Sequence, residues 1–70
     1  MRLSARNQLN GTVRNVELGA VMAEVTVDVA GQEIVAAITR SSAERLGLAE
    51  GRPVMVFIKA SSVILGVDEA

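Results

Sequence analysis

The chain between residues 21 and 29 alternates strictly between two kinds of side chain, and this pattern constrains the fold more than any other feature. Every second position is apolar, at Val21, Ala23, Val25, Val27 and Val29. The positions between them hold Met22, Glu24, Thr26 and Asp28. Because successive side chains of a strand point to opposite faces, the pattern predicts a strand with one buried and one exposed face.

A short turn at Ala30-Gly31-Gln32 follows this strand and predicts an antiparallel neighbour from Glu33 to Thr39. The neighbour is apolar on one face at Ile34, Ala36 and Ile38, and on the other face at Val35 and Ala37. A strand that is apolar on both faces is expected to be covered on both. Since 70 residues are too few to supply a second layer, we predict that another subunit covers it.

The remaining segments complete an all-β pattern. Residues Ser4 to Leu18 are predicted to be extended, with Gly11 as a bulge or bend. Val54 to Lys59 and Ala60 to Val67 are predicted to be the last two strands. Five short strands and one helix predict a small OB-like five-stranded barrel with one short helix. No linker or low-complexity tract interrupts the chain, so residues 1–70 are expected to form a single domain.

The helix is predicted after Ile38, where the strand pattern ends. Ser41 and Glu44 have the spacing of a capping box, which places the helix start near Ser42, and Gly47 suits its end. The first N–H groups of a helix lack intrahelical partners, so this start is predicted to be a good place to hold an anion. The alternative is a capped helix that closes the end of a barrel and binds nothing.

Composition argues against several classes of protein. The chain has no cysteine and no histidine, which excludes disulfides and thiolate or imidazole metal sites. Its acids are scattered and its glycines isolated, so we expect no enzyme, no cofactor and no metal. A net charge of -1 and a single aromatic residue, Phe57, argue against nucleic acid. With apolar runs of only about five residues and no apolar signal region, we expect a cytoplasmic protein that does not enter membranes.

Hydrogen-bond donors without neighbouring acids recur in three places. They occur from Ser4 to Gln8, from Thr39 to Ser42, and at Lys59, Ser61 and Ser62. An ionised oxyanion only accepts hydrogen bonds, so a site built from such groups would suit it. Taken singly, each of these side chains is more often a solvated surface group.

The run Ser4-Ala5-Arg6-Asn7 resembles the molbindins, the free-standing molybdate-binding proteins made of one Mop-type (TOBE-type) domain. The similarity extends through Ala37-Ile38-Thr39, Leu46 to Gly51 and Ile58 to Val63, and so spans essentially the whole chain. The resemblance implies an OB-like barrel that assembles as a hexamer, a trimer of dimers. It also implies that molybdate or tungstate is held at subunit interfaces for intracellular storage, buffering or homeostasis.

The resemblance implies oxyanion-binding residues as well. Ser4 and Arg6 would come from one subunit, and Thr39, Ser42, Lys59 and the backbone of Ala60 would complete the pocket, most simply from a neighbour. Two alternatives stay open. The Leu-Gly-Leu-x-Glu-Gly turn also occurs in small swapped-hairpin DNA-binding regulators, and the chain could be an oligomerisation module without a ligand.

Overall fold

The computed structural model describes residues 2–69 and is built mostly of strands. Four strands form one antiparallel sheet in the order β3-β2-β1-β4. They are β1 (Asn7–Leu18), β2 (Met22–Val29), β3 (Gln32–Thr39) and β4 (Pro53–Ile58). A short helix, α1 (Arg40–Arg45), lies between β3 and β4, and a 3₁₀ turn at Ala60–Ser62 follows β4. This all-β architecture with one short helix confirms the predicted fold class.

The β2–β3 hairpin forms where the alternation and the turn residues predict it. Val29 pairs with Gln32, so the connection has two residues, Ala30 and Gly31. Both have positive φ angles, 50° and 86°. This is the condition for a type I′ turn, whose twist matches that of the flanking strands.

The core forms on the face of β2 that the alternation predicts to be buried. Val25 and Val27 are buried there against Val13 of β1, and Ala23 lies on the same face. Ala43 is the one buried residue of α1 and docks this short helix on the sheet. A helix of six residues is marginal by itself, so this docking is what holds it in place.

Gly11 has a different role from the one predicted. The irregularity of β1 lies between Val13 and Asn15, whereas Gly11 pairs regularly with Val54. A Cβ atom on Gly11 would lie 2.5 Å from Cγ1 of Val27 and 3.0 Å from the carbonyl oxygen of Asp28. The glycine is therefore required by the close approach of β2, and not by a bulge.

The fifth strand predicted from Ala60 to Val67 does not form in the described chain. Ser62 N donates to the carbonyl oxygen of Lys59 at 2.8 Å, and this 3₁₀ turn takes the chain away from β4. Residues 63–69 have no regular secondary structure and pair with no strand of residues 2–69. The four-stranded sheet is consequently not closed into a barrel, and one edge of β3 and one edge of β4 stay unpaired.

Part of the outer face of the sheet is apolar and exposed, as the two-sided pattern of β3 indicates. Val35 is 60% exposed, and Ala37 on the same face is exposed too.

Within residues 2–69 no helix is long and apolar enough to span a membrane.

Candidate functional site

A cleft of about 540 Å³ opens where β1 begins and β4 ends. Asn7 pairs with Ile58, and the Asn7 side chain donates from Nδ2 to the Ile58 carbonyl oxygen at 3.0 Å. This register places the residues before β1 beside the residues after β4. We call this site the basic cleft, and its lining residues are Ser4, Ala5, Arg6, Phe57, Lys59, Ala60 and Ser61.

The basic cleft combines cationic and hydroxyl donors with apolar side chains, and no carboxylate lines it. Arg6 and Lys59 supply two positive charges, and neither forms a salt bridge with any residue of the described chain. Ser4 and Ser61 add hydroxyl groups, and the half-buried Phe57 adds an apolar wall. Cationic and hydroxyl donors without a competing acid are what an ionised oxyanion needs.

The 3₁₀ turn beside the same cleft has backbone N–H groups that are not used within the described chain. Its own hydrogen bonds use the N–H groups of Ser62 and Val63, which donate to Lys59 and Ala60 at 2.8 Å and 3.3 Å. Among residues 2–69 the N–H groups of Ala60 and Ser61 have no backbone acceptor. These two N–H groups are therefore available to an acceptor in the cleft.

A second cleft, of about 360 Å³, lies at the start of α1, and we call it the helix-start cleft. Its lining residues are Ala20, Val21, Thr39, Arg40, Ser41 and Glu44. The cap of α1 is Thr39, not Ser41 as the capping box predicts. The backbone of Thr39 is extended, and its Oγ1 accepts a hydrogen bond from Ser42 N at 3.1 Å, so the helix begins two residues earlier.

Glu44 makes a different contact from the one predicted. It lies four residues after Arg40 on α1, and Arg40 Nε donates to Glu44 Oε2 at 3.5 Å. Residues four apart on a helix are neighbours, so Glu44 pairs with Arg40. In the predicted capping box its carboxylate would instead accept from the backbone N–H of Ser41. At the other end of the helix Gly47 has a φ of +64°, which confirms its predicted role.

The helix-start cleft offers fewer free donors than expected. Arg40 N donates to the carbonyl oxygen of Val21 at 2.8 Å, and Ser42 N donates to Thr39. The Thr39 hydroxyl in turn donates to Ser42 Oγ at 2.7 Å. Two of the N–H groups expected to be free are therefore paired within the chain, and the carboxylate of Glu44 lines the same cleft.

The six site residues predicted from the resemblance lie in two places. Ser4, Arg6, Lys59 and Ala60 line the basic cleft of one chain. Thr39 and Ser42 lie at the start of α1, and neither lines the basic cleft. Lys59 and Ala60 line the same cleft as Ser4 and Arg6 within one chain, and the subunit that completes the pocket stays a prediction.

Three lining residues of the basic cleft, Ala5, Phe57 and Ser61, are not among the six site residues that the resemblance implies, although Ser61 is one of the donors noted in the sequence. Phe57 and Ser61 each lie two residues from Lys59 in the sequence. That proximity is the signal that could have identified them. No group of three or more carboxylate, thiol or imidazole side chains in the described part of the chain could hold a metal ion.

Residues 3–65 match the TOBE domain family. The chain belongs to that family. This TOBE chain is 45% identical over 71 residues to the molybdenum transport protein ModE of Herbaspirillum seropedicae, covering 100% of the chain but only 26% of ModE. It is 38% identical over 69 residues to a probable molybdenum-pterin-binding protein of Haemophilus influenzae, covering 97% of the chain and 100% of that protein.

Solved structures agree with this assignment. A molybdate-binding protein from Sporomusa ovata superposes with a TM-score of 0.91 at 39% identity, covering 96% of this chain and 100% of that one. The cytoplasmic molybdate-binding protein ModG, solved with molybdate bound, also gives 0.91 at 51% identity, covering 97% of this chain and 49% of that one. The predicted resemblance to Mop-type proteins and the predicted fold class are both confirmed.

Proposed function

We propose that this TOBE chain binds molybdate and tungstate in the basic cleft. The proposal rests on one observation. Arg6 and Lys59 line the same cleft, and no carboxylate of the described chain lines it. The relatives named above are molybdenum transport, molybdenum-pterin-binding and molybdate-binding proteins, which supports the same ligand.

Each group in the cleft has a role toward a tetrahedral dianion. The Arg6 guanidinium and the Lys59 ammonium offset the two negative charges through charge-assisted hydrogen bonds. The hydroxyls of Ser4 and Ser61 and the N–H of Ala60 donate to the remaining oxygens. The site binds the anion without chemical change, so the protein acts as a binding protein and not as an enzyme.

The basic cleft is much larger than one tetrahedral anion, at about 540 Å³, and so needs a further wall. Thr39 and Ser42 of a second copy supply that wall in this proposal. Their hydroxyl oxygens lie 2.7 Å apart, so the two groups form one compact polar surface at the start of α1. Such a site requires a homo-oligomer, for which we propose the hexamer, a trimer of dimers.

Selectivity against hydrogen phosphate follows from the absence of a carboxylate acceptor among the lining residues of the cleft. Hydrogen phosphate carries a proton that needs an acceptor, and leaving it unpaired costs about 1–3 kcal/mol. Sulfate has the same charge as molybdate, so discrimination between them rests on the size of the tetrahedron in a fixed set of donors. We place the protein in the cytoplasm, as ModG is described, with storage, buffering or homeostasis of the anion as its role.

Calorimetric titration of the purified protein with molybdate, tungstate, sulfate and phosphate tests the proposal. We expect tight binding of the first two anions and weak or no binding of the others. Light scattering should give a mass of about six times the 7.3 kDa of one chain. Equal, weak affinity for molybdate and sulfate would show that the basic cleft is not a molybdate site.

A further inference from the structure

Two of the hydrogen-bond donors noted near the start of the sequence do not line the basic cleft. They are the side chains of Asn7 and Gln8, the first two residues of β1. Asn7 Nδ2 donates to the carbonyl oxygen of Ile58 at 3.0 Å, and Gln8 Nε2 donates to the carbonyl oxygen of Ala5 at 2.9 Å. A carbonyl oxygen only accepts, so each amide must face it with its NH₂ group. The two amides therefore bond the backbone beside the cleft.

The hydrogen bond from Gln8 closes a turn around Arg6. Its acceptor lies three residues earlier in the chain, so the ring that it completes contains the backbone of Arg6 and Asn7. Ala5, whose carbonyl oxygen accepts, is itself a lining residue of the basic cleft. The bond thus fixes the direction in which the chain leaves Ala5, and with it the point from which the Arg6 side chain extends.

The segment that carries Arg6 has few other restraints. Residues 2–6 precede β1 and have no regular secondary structure. Their backbone takes part in none of the turn and loop hydrogen bonds that join backbone groups of the described chain. Arg6 is exposed and forms no salt bridge with any of residues 2–69. Within those residues, the Gln8 side chain is the group that ties the backbone before Arg6 to β1.

We propose that Gln8 is a positioning residue of the oxyanion site, which orders the Arg6 backbone before the anion arrives and does not contact the anion. This inference rests on the proposed function and adds to it a residue outside the lining of the cleft. A segment that is ordered in the free protein loses less conformational freedom on binding. A larger share of the contact energy then appears as affinity.

Asn7 and Gln8 have separate roles in this arrangement. The Asn7 bond joins the first residue of β1 to Ile58, the last residue of β4, which precedes Lys59. Asn7 and Ile58 also pair in the sheet, so replacing Asn7 would disturb the sheet and the site together. The Gln8 bond lies within four consecutive residues at the start of β1. Replacing Gln8 therefore separates the ordering of Arg6 from the pairing of the strands.

Gln8→Met tests the proposal, because methionine is a flexible, unbranched residue of similar length that has no N–H to donate. The change removes no charge, so the long-range attraction of the anion stays as it is in the wild type. Gln32→Met is the matched control. Gln32 is the other glutamine of the chain, is exposed at the first position of β3, and does not line the basic cleft.

Calorimetry should show a molybdate affinity about threefold to tenfold lower for Gln8→Met than for the wild type, with an unchanged urea midpoint of unfolding. In the anion-free protein, amide relaxation should show a lower order parameter for the Arg6 N–H in Gln8→Met, and saturating molybdate should restore it. Gln32→Met should behave as the wild type in every measurement.

Two results would contradict the role of Gln8: an Arg6 amide that is equally ordered in Gln8→Met, or an unchanged affinity in spite of a more mobile Arg6. A wild-type protein that binds no molybdate would instead overturn the proposed function. The relaxation measurement on the anion-free protein separates the two failures, because it reports whether Gln8 orders this turn without any ligand.

Discussion

The basic cleft and the helix-start cleft contain similar residues but differ in what those residues already contact. Each has an arginine and hydroxyl groups among its lining residues. In the helix-start cleft Arg40 pairs with Glu44, and Thr39 is engaged as the helix cap. In the basic cleft Arg6 and Lys59 have no acidic partner within the described chain. The comparison teaches that similar residue types differ in what they can still bind, because the cations of one cleft are already paired and those of the other are not.

The difference has a geometric cause. Arg40 and Glu44 are one helical turn apart, so local structure brings them into contact. Arg6 and Lys59 meet only because β1 pairs with β4, a contact between Asn7 and Ile58 that spans 51 residues. The chain thus pairs the charges of one cleft locally and leaves those of the other without an acidic partner in residues 2–69.

The largest effect is expected for Arg6→Ala. Removing one charge-assisted donor from a dianion should lower molybdate affinity by about tenfold to a hundredfold, measured by calorimetry. The control is Arg14→Ala, because Arg14 lies in another cleft, 4.0 Å from Glu33. That variant should bind as the wild type does. An equal loss in both variants would mean that only general charge matters.

A somewhat smaller loss is expected for Lys59→Ala. Lysine acts as a point charge without the paired donors of arginine, so about a tenfold decrease in molybdate affinity is expected in the same titration. Lys59→Arg keeps the charge and should recover part of the affinity. If Lys59→Ala bound molybdate normally, Arg6 alone would account for the basic character of the cleft.

Thr39→Ala tests the contribution of the helix cap to stability, apart from the role that Thr39 has in the proposed site. Loss of the helix cap should lower the free energy of unfolding by about 1 kcal/mol, measured by urea titration. Thr39→Ser keeps a hydroxyl at the cap and should be close to wild type. Arg6→Ala should leave unfolding unchanged, because Arg6 is exposed and forms no ion pair in the described chain. A stable Thr39→Ala protein would show that the cap hydrogen bond at 3.1 Å contributes little.

The smallest effect is expected for Glu44→Gln. The Arg40–Glu44 pair is exposed, with side chains 43% and 59% accessible, so its loss should change stability by only a few tenths of a kcal/mol. Molybdate affinity should rise slightly, because Arg40 is released and a negative charge near Thr39 is removed. A fall in affinity would place Glu44 among the groups that support the site.

Local patterns in the sequence predicted much of this fold. The β2–β3 hairpin, the buried face of β2 and the left-handed Gly47 follow from alternation and turn chemistry alone. The observed helix cap, Thr39, lies two residues before the predicted cap, Ser41, because both residue types are favourable at this position. Only the extended backbone of Thr39 selects the first of them.

What the sequence by itself determined was the set of strands around the core and the presence of donors without acids. What only the tertiary structure decided was which donors share a cleft and which apolar segment stays uncovered. The register of β1 against β4 brings Arg6 to Lys59, and the 3₁₀ turn separates residues 63–67 from the sheet. Both outcomes depend on contacts between distant parts of the chain, and side-chain alternation carries no information about which distant edge a strand will join.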